Sequence, residues 1–141
     1  MQYCDLQDRK IMILGFGSIG PAVLPLILRH MKVKPSHITA VDADARNQAV
    51  AQMHGINFLS YLLTQQNYES FLLSHLKQGD ILLNLTYGIS SLDLIKLCQQ
   101  HDILYMDTSN EIWATEDRLT RATTGERRRW ALAYKQKQSK N

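Results

Sequence analysis

The apolar positions of the chain gather into five short runs, separated by stretches with a helical period. Ile11, Met12, Ile13 and Leu14 are apolar without alternation, which predicts a strand over 11–16 buried on both faces. Val23, Leu24, Ile27 and Leu28 then recur at helical spacing and predict a first helix over 19–31, with Pro25 in its first turns. Further strands are predicted at 37–42, 56–59, 81–85 and 103–106. Helices are predicted at 45–53, 67–76 and 92–101. Gly55, and Gly79 with Asp80, stop the second and third helices, and Ser91 is the expected N-cap of the fourth.

Strands alternating with helices at this spacing predict an α/β fold: a Rossmann-type doubly wound parallel sheet of about five strands, with right-handed crossovers and order 3-2-1-4-5. Such a sheet binds ligands outside the carboxyl ends of its strands, where the strand order reverses. After Trp113 the regularity fades. The expected organisation is an extension over 1–9, one domain over 10–113, and a basic tail over 114–141. A basic helix at 126–137 stands there against the simpler reading of a solvated tail.

Composition narrows the class. The chain has 141 residues, the length of one domain, and 45% of them are hydrophobic, enough for a real core. No apolar run approaches the roughly 20 residues that span a bilayer. The first nine residues lack the apolar stretch of a signal peptide. A cytoplasmic protein without membrane contact is expected. The net charge of +3 is uneven, because Arg118, Arg121, Arg127, Arg128, Arg129, Lys135, Lys137 and Lys140 cluster near the C-terminus. No aromatic or glycine motif accompanies them, so no nucleic-acid partner is expected. Cys4 and Cys98 show no Cys-x-x-Cys spacing and the five histidines form no ligand spacing, so neither a disulfide nor a metal is expected. Cys98 reads as a small core residue and Cys4 as exposed.

The first strand leads into Gly15, Phe16, Gly17, Ser18, Ile19 and Gly20, followed by Pro21. This G-x-G-x-x-G run lies between a strand and a helix, as a dinucleotide fingerprint requires. Gly15 permits the tight turn, Gly17 lets a pyrophosphate approach the backbone, and Gly20 lets the helix pack closely. Unpaired N–H groups at the helix start would receive the anion. Asp42 ends the second strand 22 residues after Gly20, where a carboxylate accepts hydrogen bonds from ribose hydroxyls and repels a 2′-phosphate. NAD is therefore favoured over NADP, although Arg46 offers a receptor for a 2′-phosphate. A turn or capping role is the plainer reading of Asp42, and Asp44 is the expected N-cap of the second helix.

Several runs carry a family resemblance: GFGSIG at 15–20, VDAD at 41–44, NLT at 84–86, SSLDLI at 90–95, and YMDT at 105–108 with EIW at 111–113. Together they resemble the N-terminal NAD domain of bacterial homospermidine synthases, in the wider saccharopine dehydrogenase-like group. The resemblance covers about 10–113. It implies NAD as a tightly held prosthetic group that takes hydride from putrescine and returns it after a second diamine has condensed, giving homospermidine. Carried onto this chain, Gly15, Gly17 and Gly20 hold the pyrophosphate and Asp42 the ribose. Leu85 and Thr86 lie along the cofactor. Asp107, Thr108 and Glu111 approach the nicotinamide and the amine, with Glu111 as catalytic acid. A cationic diamine also needs a carboxylate partner, and imine steps need a proton carrier.

Two positions depart from the family pattern. Ile112 replaces an expected proline, and Tyr87 stands where a small or aliphatic residue is usual. The family also has a substrate domain that this sequence does not contain, so a weakly active or inactive chain is expected. A non-catalytic NAD-sensing or assembly module and an NADP-dependent dehydrogenase are the alternatives. The edge of the fifth strand predicts a homo-oligomer or a partner chain.

Overall fold

The computed structural model describes residues 4–114. Its elements run β1 (Cys4–Asp5), β2 (Ile11–Leu14), α1 (Ile19–His30), β3 (Met31–Lys32), β4 (Ile38–Asp42), α2 (Gln48–Met53), β5 (Asn57–Ser60), α3 (Tyr68–His75), β6 (Ile81–Asn84), α4 (Ser91–Gln100) and β7 (Leu104–Asp107). Five strands form one parallel sheet in the order β5-β4-β2-β6-β7. Counted within that sheet, this is the doubly wound 3-2-1-4-5 order that the alternation predicts. The residues expected in the basic tail from 115 onward, including the helix at 126–137, lie outside the described residues.

The period-2 geometry of a strand sends successive side chains to opposite faces. Ile11 and Ile13 of β2 join Ile38 and Ala40 of β4 in a core with Leu24 and Ile27 of α1. Met12 and Leu14 face the other way, into a core with Leu72 of α3 and Leu94 and Leu97 of α4. Both faces of β2 are thus covered, which is why its sequence shows no polar alternation. Cys98 lies in the second core, and burial pushes its thiol up to about 11.

Register brings the site together. Leu14 aligns with Val41 and with Asn84, and Asn84 aligns with Asp107. The strands therefore end level, and their exit loops share one crevice. At the opposite end, the buried carboxylate of Asp80 accepts the N–H groups of Lys10 and Lys77, each at 2.9 Å. Two backbone donors satisfy that charge and fix the starts of β2 and β6 relative to each other.

Two features differ from the sequence pattern. β1 and β3 form a separate parallel pair, extended by a bond from the Leu6 N–H to the Lys32 carbonyl at 3.0 Å, and Leu6 is buried in the α1 core. Two-residue strands are too short to show a period, so the pattern assigns them nothing. The N-cap of α4 is Ser90 rather than Ser91: its hydroxyl accepts the Asp93 N–H at 3.2 Å. Ser91 is fully buried, and its hydroxyl donates to the Ser109 carbonyl and accepts the Glu111 N–H. Two adjacent serines look alike in sequence, and only the neighbouring 109–111 segment tells them apart.

Among the described strands β7 lies at the edge of the sheet, with Leu104 52% and Met106 65% exposed. They align with Ile81 and Leu83 of β6, so they extend the α1 side of the sheet beyond the reach of its helices. No helix among the described residues is long and apolar enough to cross a membrane.

The cap assignment is open to a direct check. Ser90→Ala should lower stability by about 1 kcal/mol in urea unfolding, the usual loss of an N-cap. An unchanged midpoint would remove Ser90 from that role.

Candidate functional site

The glycine loop leaves β2 at Gly15, whose φ of +86° suits a residue without a side chain. A Cβ there would stand 2.9 Å from the Thr86 amide nitrogen. The loop after β6 therefore packs directly on the turn, and the Leu85 N–H donates to the Leu14 carbonyl at 2.8 Å. Gly20 is equally constrained, since its Cβ would meet the Phe16 ring at 2.7 Å and the Gly15 carbonyl oxygen at 2.8 Å. Its hydrogen lets α1 close on the loop itself rather than on the sheet. Gly17 differs: among the described residues, nothing lies within 4 Å of where its Cβ would be, and no packing demand of theirs accounts for glycine there.

The loop is also held from β4. The Phe16 N–H donates to Asp42 Oδ2 at 2.7 Å, and the Asp44 N–H donates to Asp42 Oδ1 at 2.9 Å. Each carboxylate oxygen keeps a further lone pair. Asn47, which the sequence reading does not single out, donates from its side-chain amide to the carbonyls of Phe16 (3.0 Å) and Gly17 (2.7 Å). Asp44 caps the 3₁₀ turn Ala45–Asn47 through the Arg46 N–H at 2.8 Å, just ahead of α2. Its other oxygen takes both Nε and Nη2 of Arg46. That hydrogen bond, more than any other cause, lowers the Asp44 carboxyl and raises the Arg46 guanidinium.

Two cavities open on this framework. The larger, about 680 Å³, is lined by the glycine loop with Ser18 and Ile19, by Asp42, Asp44 and Arg46, and by Leu85 and Thr86. The α1 terminus beside it has neither a side-chain cap nor an acidic residue in its first turn. Its orphan N–H groups carry the positive end of the helix dipole into the cavity. The smaller cavity, about 230 Å³, is mostly apolar, with Val41, Leu63, Ile89 and Trp113 among its lining. Leu62 and Tyr87 border both cavities and are 66% and 78% exposed.

The loop after β7 stands apart. Asp107, Thr108 and Glu111 line neither cavity. Asp107 Oδ2 accepts the Tyr105 hydroxyl at 2.9 Å, and that hydroxyl also accepts from buried Asn84 at 3.3 Å. Asn84 Oδ1 in turn accepts the Thr86 N–H at 3.2 Å. The exits of β6 and β7 are thereby joined through one buried amide. Burial, the largest influence on the Tyr105 phenol, raises its pKa well above the usual value. Glu111 is fixed through its backbone, whose N–H and carbonyl both bond Ser91. Trp113 closes the segment, its indole N–H donating to Asp93 Oδ2 at 2.7 Å.

A parallel doubly wound sheet with a glycine turn under a helix N-terminus, and a carboxylate on the neighbouring strand, defines a Rossmann-type nucleotide-binding domain. The chain belongs to the saccharopine dehydrogenase NADP binding domain family, which it matches over residues 11–141. It is 35% identical over 109 residues to homospermidine synthase of Blastochloris viridis, covering 75% of this chain and 23% of that protein. To homospermidine synthase of Mesorhizobium japonicum it is 36% identical over 106 residues, covering 73% of this chain and 22% of that one. The crystal structure of homospermidine synthase from Legionella pneumophila in complex with NAD superposes with a TM-score of 0.79 at 36% identity, over 93% of this chain and 27% of that one. The chain thus spans less than a quarter of the length of the curated relatives it matches.

The glycines make a stability prediction. Gly20→Ala should destabilise by about 1–3 kcal/mol, the usual range for overpacking. Gly17→Ala should stay within about 0.5 kcal/mol, as a substitution that meets nothing does. Urea titration of the two variants separates them, and equal losses would contradict the geometry.

Proposed function

We propose that this chain binds NAD in the crevice over β4, β2 and β6, as the cofactor domain of a homospermidine synthase-like enzyme. The observation that carries the reading is the empty space at Gly17, beside a loop pinned by Asp42. Among the described residues a methyl group at 17 would meet no atom, which leaves room for a ligand to approach the backbone there. In this reading the pyrophosphate lies on the backbone from Gly15 to Gly20, and the free lone pairs of Asp42 accept the ribose hydroxyls. The apolar cavity takes the adenine between Leu62 and Tyr87. The second nucleotide half then runs past Leu85 and Thr86 toward Asp107 and Thr108, on the far side of the strand-order reversal.

When bound, NAD supplies a hydride acceptor. The chain's own part is to orient it and to exclude water. Glu111, on the segment locked to α4, supplies the carboxylate that pairs with an ammonium group and carries the proton of the imine steps. Neither of the two cavities encloses Asp107 or Glu111. The 141-residue chain alone is therefore expected to turn over putrescine weakly or not at all.

A second reading rests on the β7 edge. Leu104 and Met106 are exposed on the strand that ends the sheet among the described residues, and a second copy of the chain or a partner covers them. Sedimentation should show concentration-dependent association that Met106→Glu weakens. A clean monomer at high concentration would dismiss this surface.

Cofactor binding is tested by heating purified protein, identifying the released small molecules by mass spectrometry, and titrating the emptied protein with NAD by calorimetry. NAD should be found and should rebind. Gly17→Ala should lower the affinity at least tenfold while leaving the urea midpoint unchanged. Protein that neither carries nor binds NAD would overturn the proposal. Robust homospermidine formation from putrescine and NAD by this chain would overturn the expectation of weak turnover.

A further inference from the structure

We propose that Asp44, by occupying Arg46, sets the preference of this crevice for a dinucleotide without a 2′-phosphate over one that carries it. This inference rests on the NAD reading above and assigns its selectivity to a particular pair of residues.

Among the described residues lining the two cavities, Arg46 is the only cation. It lies beside Asp42 at the ribose end, and a guanidinium fork is the side chain best suited to grip a phosphate with two parallel bonds. Left to itself, Arg46 would be a receptor for a 2′-phosphate. One edge of its fork is already held by Asp44, with Nε at 3.0 Å and Nη2 also on the same carboxylate oxygen. The second Asp44 oxygen holds the Arg46 backbone N–H at 2.8 Å, so side chain and main chain are tied to one carboxylate.

The charges point the same way. Asp42 and Asp44 set two negative charges against one guanidinium, so the corner keeps an excess of negative charge. A 2′-phosphate brings roughly −1.5 to −2 more at neutral pH. It would meet repulsion from both carboxylates and find the one cation engaged.

Asp42 is the expected discriminator, but its carboxylate also holds the glycine loop through the Phe16 N–H. Replacing it would disturb the pyrophosphate seat together with the ribose seat. Among the described residues Asp44 makes no bond to the loop: its carboxylate bonds Arg46, and its own N–H goes to Asp42. Selectivity can therefore be changed at Asp44 with the loop left intact. Asparagine is the informative replacement, because its carbonyl oxygen still accepts the Arg46 N–H and preserves the cap of the 3₁₀ turn. Only the charge and the two-point hold on the guanidinium are lost.

The test is calorimetric titration of three proteins with NAD and with NADP: the unaltered chain, Asp44→Asn, and Asp44→Asn combined with Arg46→Ala. The unaltered chain should prefer NAD. Asp44→Asn should bind NADP about tenfold more tightly than the unaltered chain while keeping its NAD affinity within about threefold, which also shows that the variant is folded. The double variant should lose the NADP gain and still bind NAD. An Asp44→Asn protein with unchanged NADP affinity, or a double variant that retains the gain, would overturn the inference while leaving NAD binding intact. Failure of the unaltered chain to bind NAD at all would overturn the underlying reading as well.

Discussion

The whole site depends on the glycine loop being clamped between its two neighbouring strands. From β4 the Asp42 carboxylate takes the Phe16 N–H, and the Asn47 amide takes the carbonyls of Phe16 and Gly17. From β6 the Leu85–Thr86 backbone presses against Gly15 so closely that a Cβ would not fit. A loop with this many fixed backbone groups presents its remaining N–H donors in a set geometry. A ligand then loses little free energy in ordering its own receptor. The clamp needs strand ends that are level, and the register from Val41 through Leu14 to Asn84 makes them so. The buried Asp80 at the other end of the sheet helps to fix that register, although it lies a full strand length from the site.

The sequence was most informative where a residue's role follows from local chemistry. The apolar run of β2 declares a doubly covered strand, and the alternation of elements declares the sheet order. Gly15 and Gly20 declare close approach, and both would clash with a Cβ. Gly20 clashes with Phe16 and Gly15 rather than with the sheet, a detail that depends on where the Phe16 ring turns. The illegible parts are those decided by distant partners. Ser90 and Ser91 differ only because residues 109–111 cross the start of α4. Asn47 is an unremarkable helix-start residue until the loop 30 positions earlier is laid over it. Asn84 reads as the polar end of a strand, and its link to Tyr105 and Asp107 appears only when β6 and β7 pair. β1 and β3 fall below the length at which any pattern registers.

The crevice is chemically divided in a way that suits an amphipathic ligand. One cavity offers orphan N–H groups, carboxylates and a guanidinium; the other offers Val41, Leu63, Ile89 and Trp113. Leu62 and Tyr87 stand between them in solvent, and covering each 100 Å² of such apolar surface contributes roughly 2.5 kcal/mol. A flat, weakly polar base in the small cavity and a charged linkage in the large one use both halves. A simple anion would use only one, and a purely apolar ligand would leave the helix terminus and the carboxylates unused. Two side chains lining the apolar half are packed against aromatic neighbours: Tyr61 stacks on Phe71 at 4.2 Å, and Trp113 lies 5.2 Å from Tyr68.

The family's name refers to NADP, whereas the Legionella relative was solved with NAD. In the proposed reading, the glycine loop and the helix terminus meet the pyrophosphate that both dinucleotides share. The proposed discrimination lies in the first turn after β4, with Asp42, Asp44 and Arg46. That turn is solvent-exposed, with 53% of the Asp44 side chain and 78% of the Arg46 side chain accessible. It contributes little to the core, so substitutions there alter recognition with small effects on folding. Asp42 differs from Asp44 in that its carboxylate is also bonded to the glycine loop through the Phe16 N–H. The fold thus places two neighbouring carboxylates in different mechanical settings: Asp42 is tied to the loop, and Asp44 is tied to Arg46 alone among the described side chains.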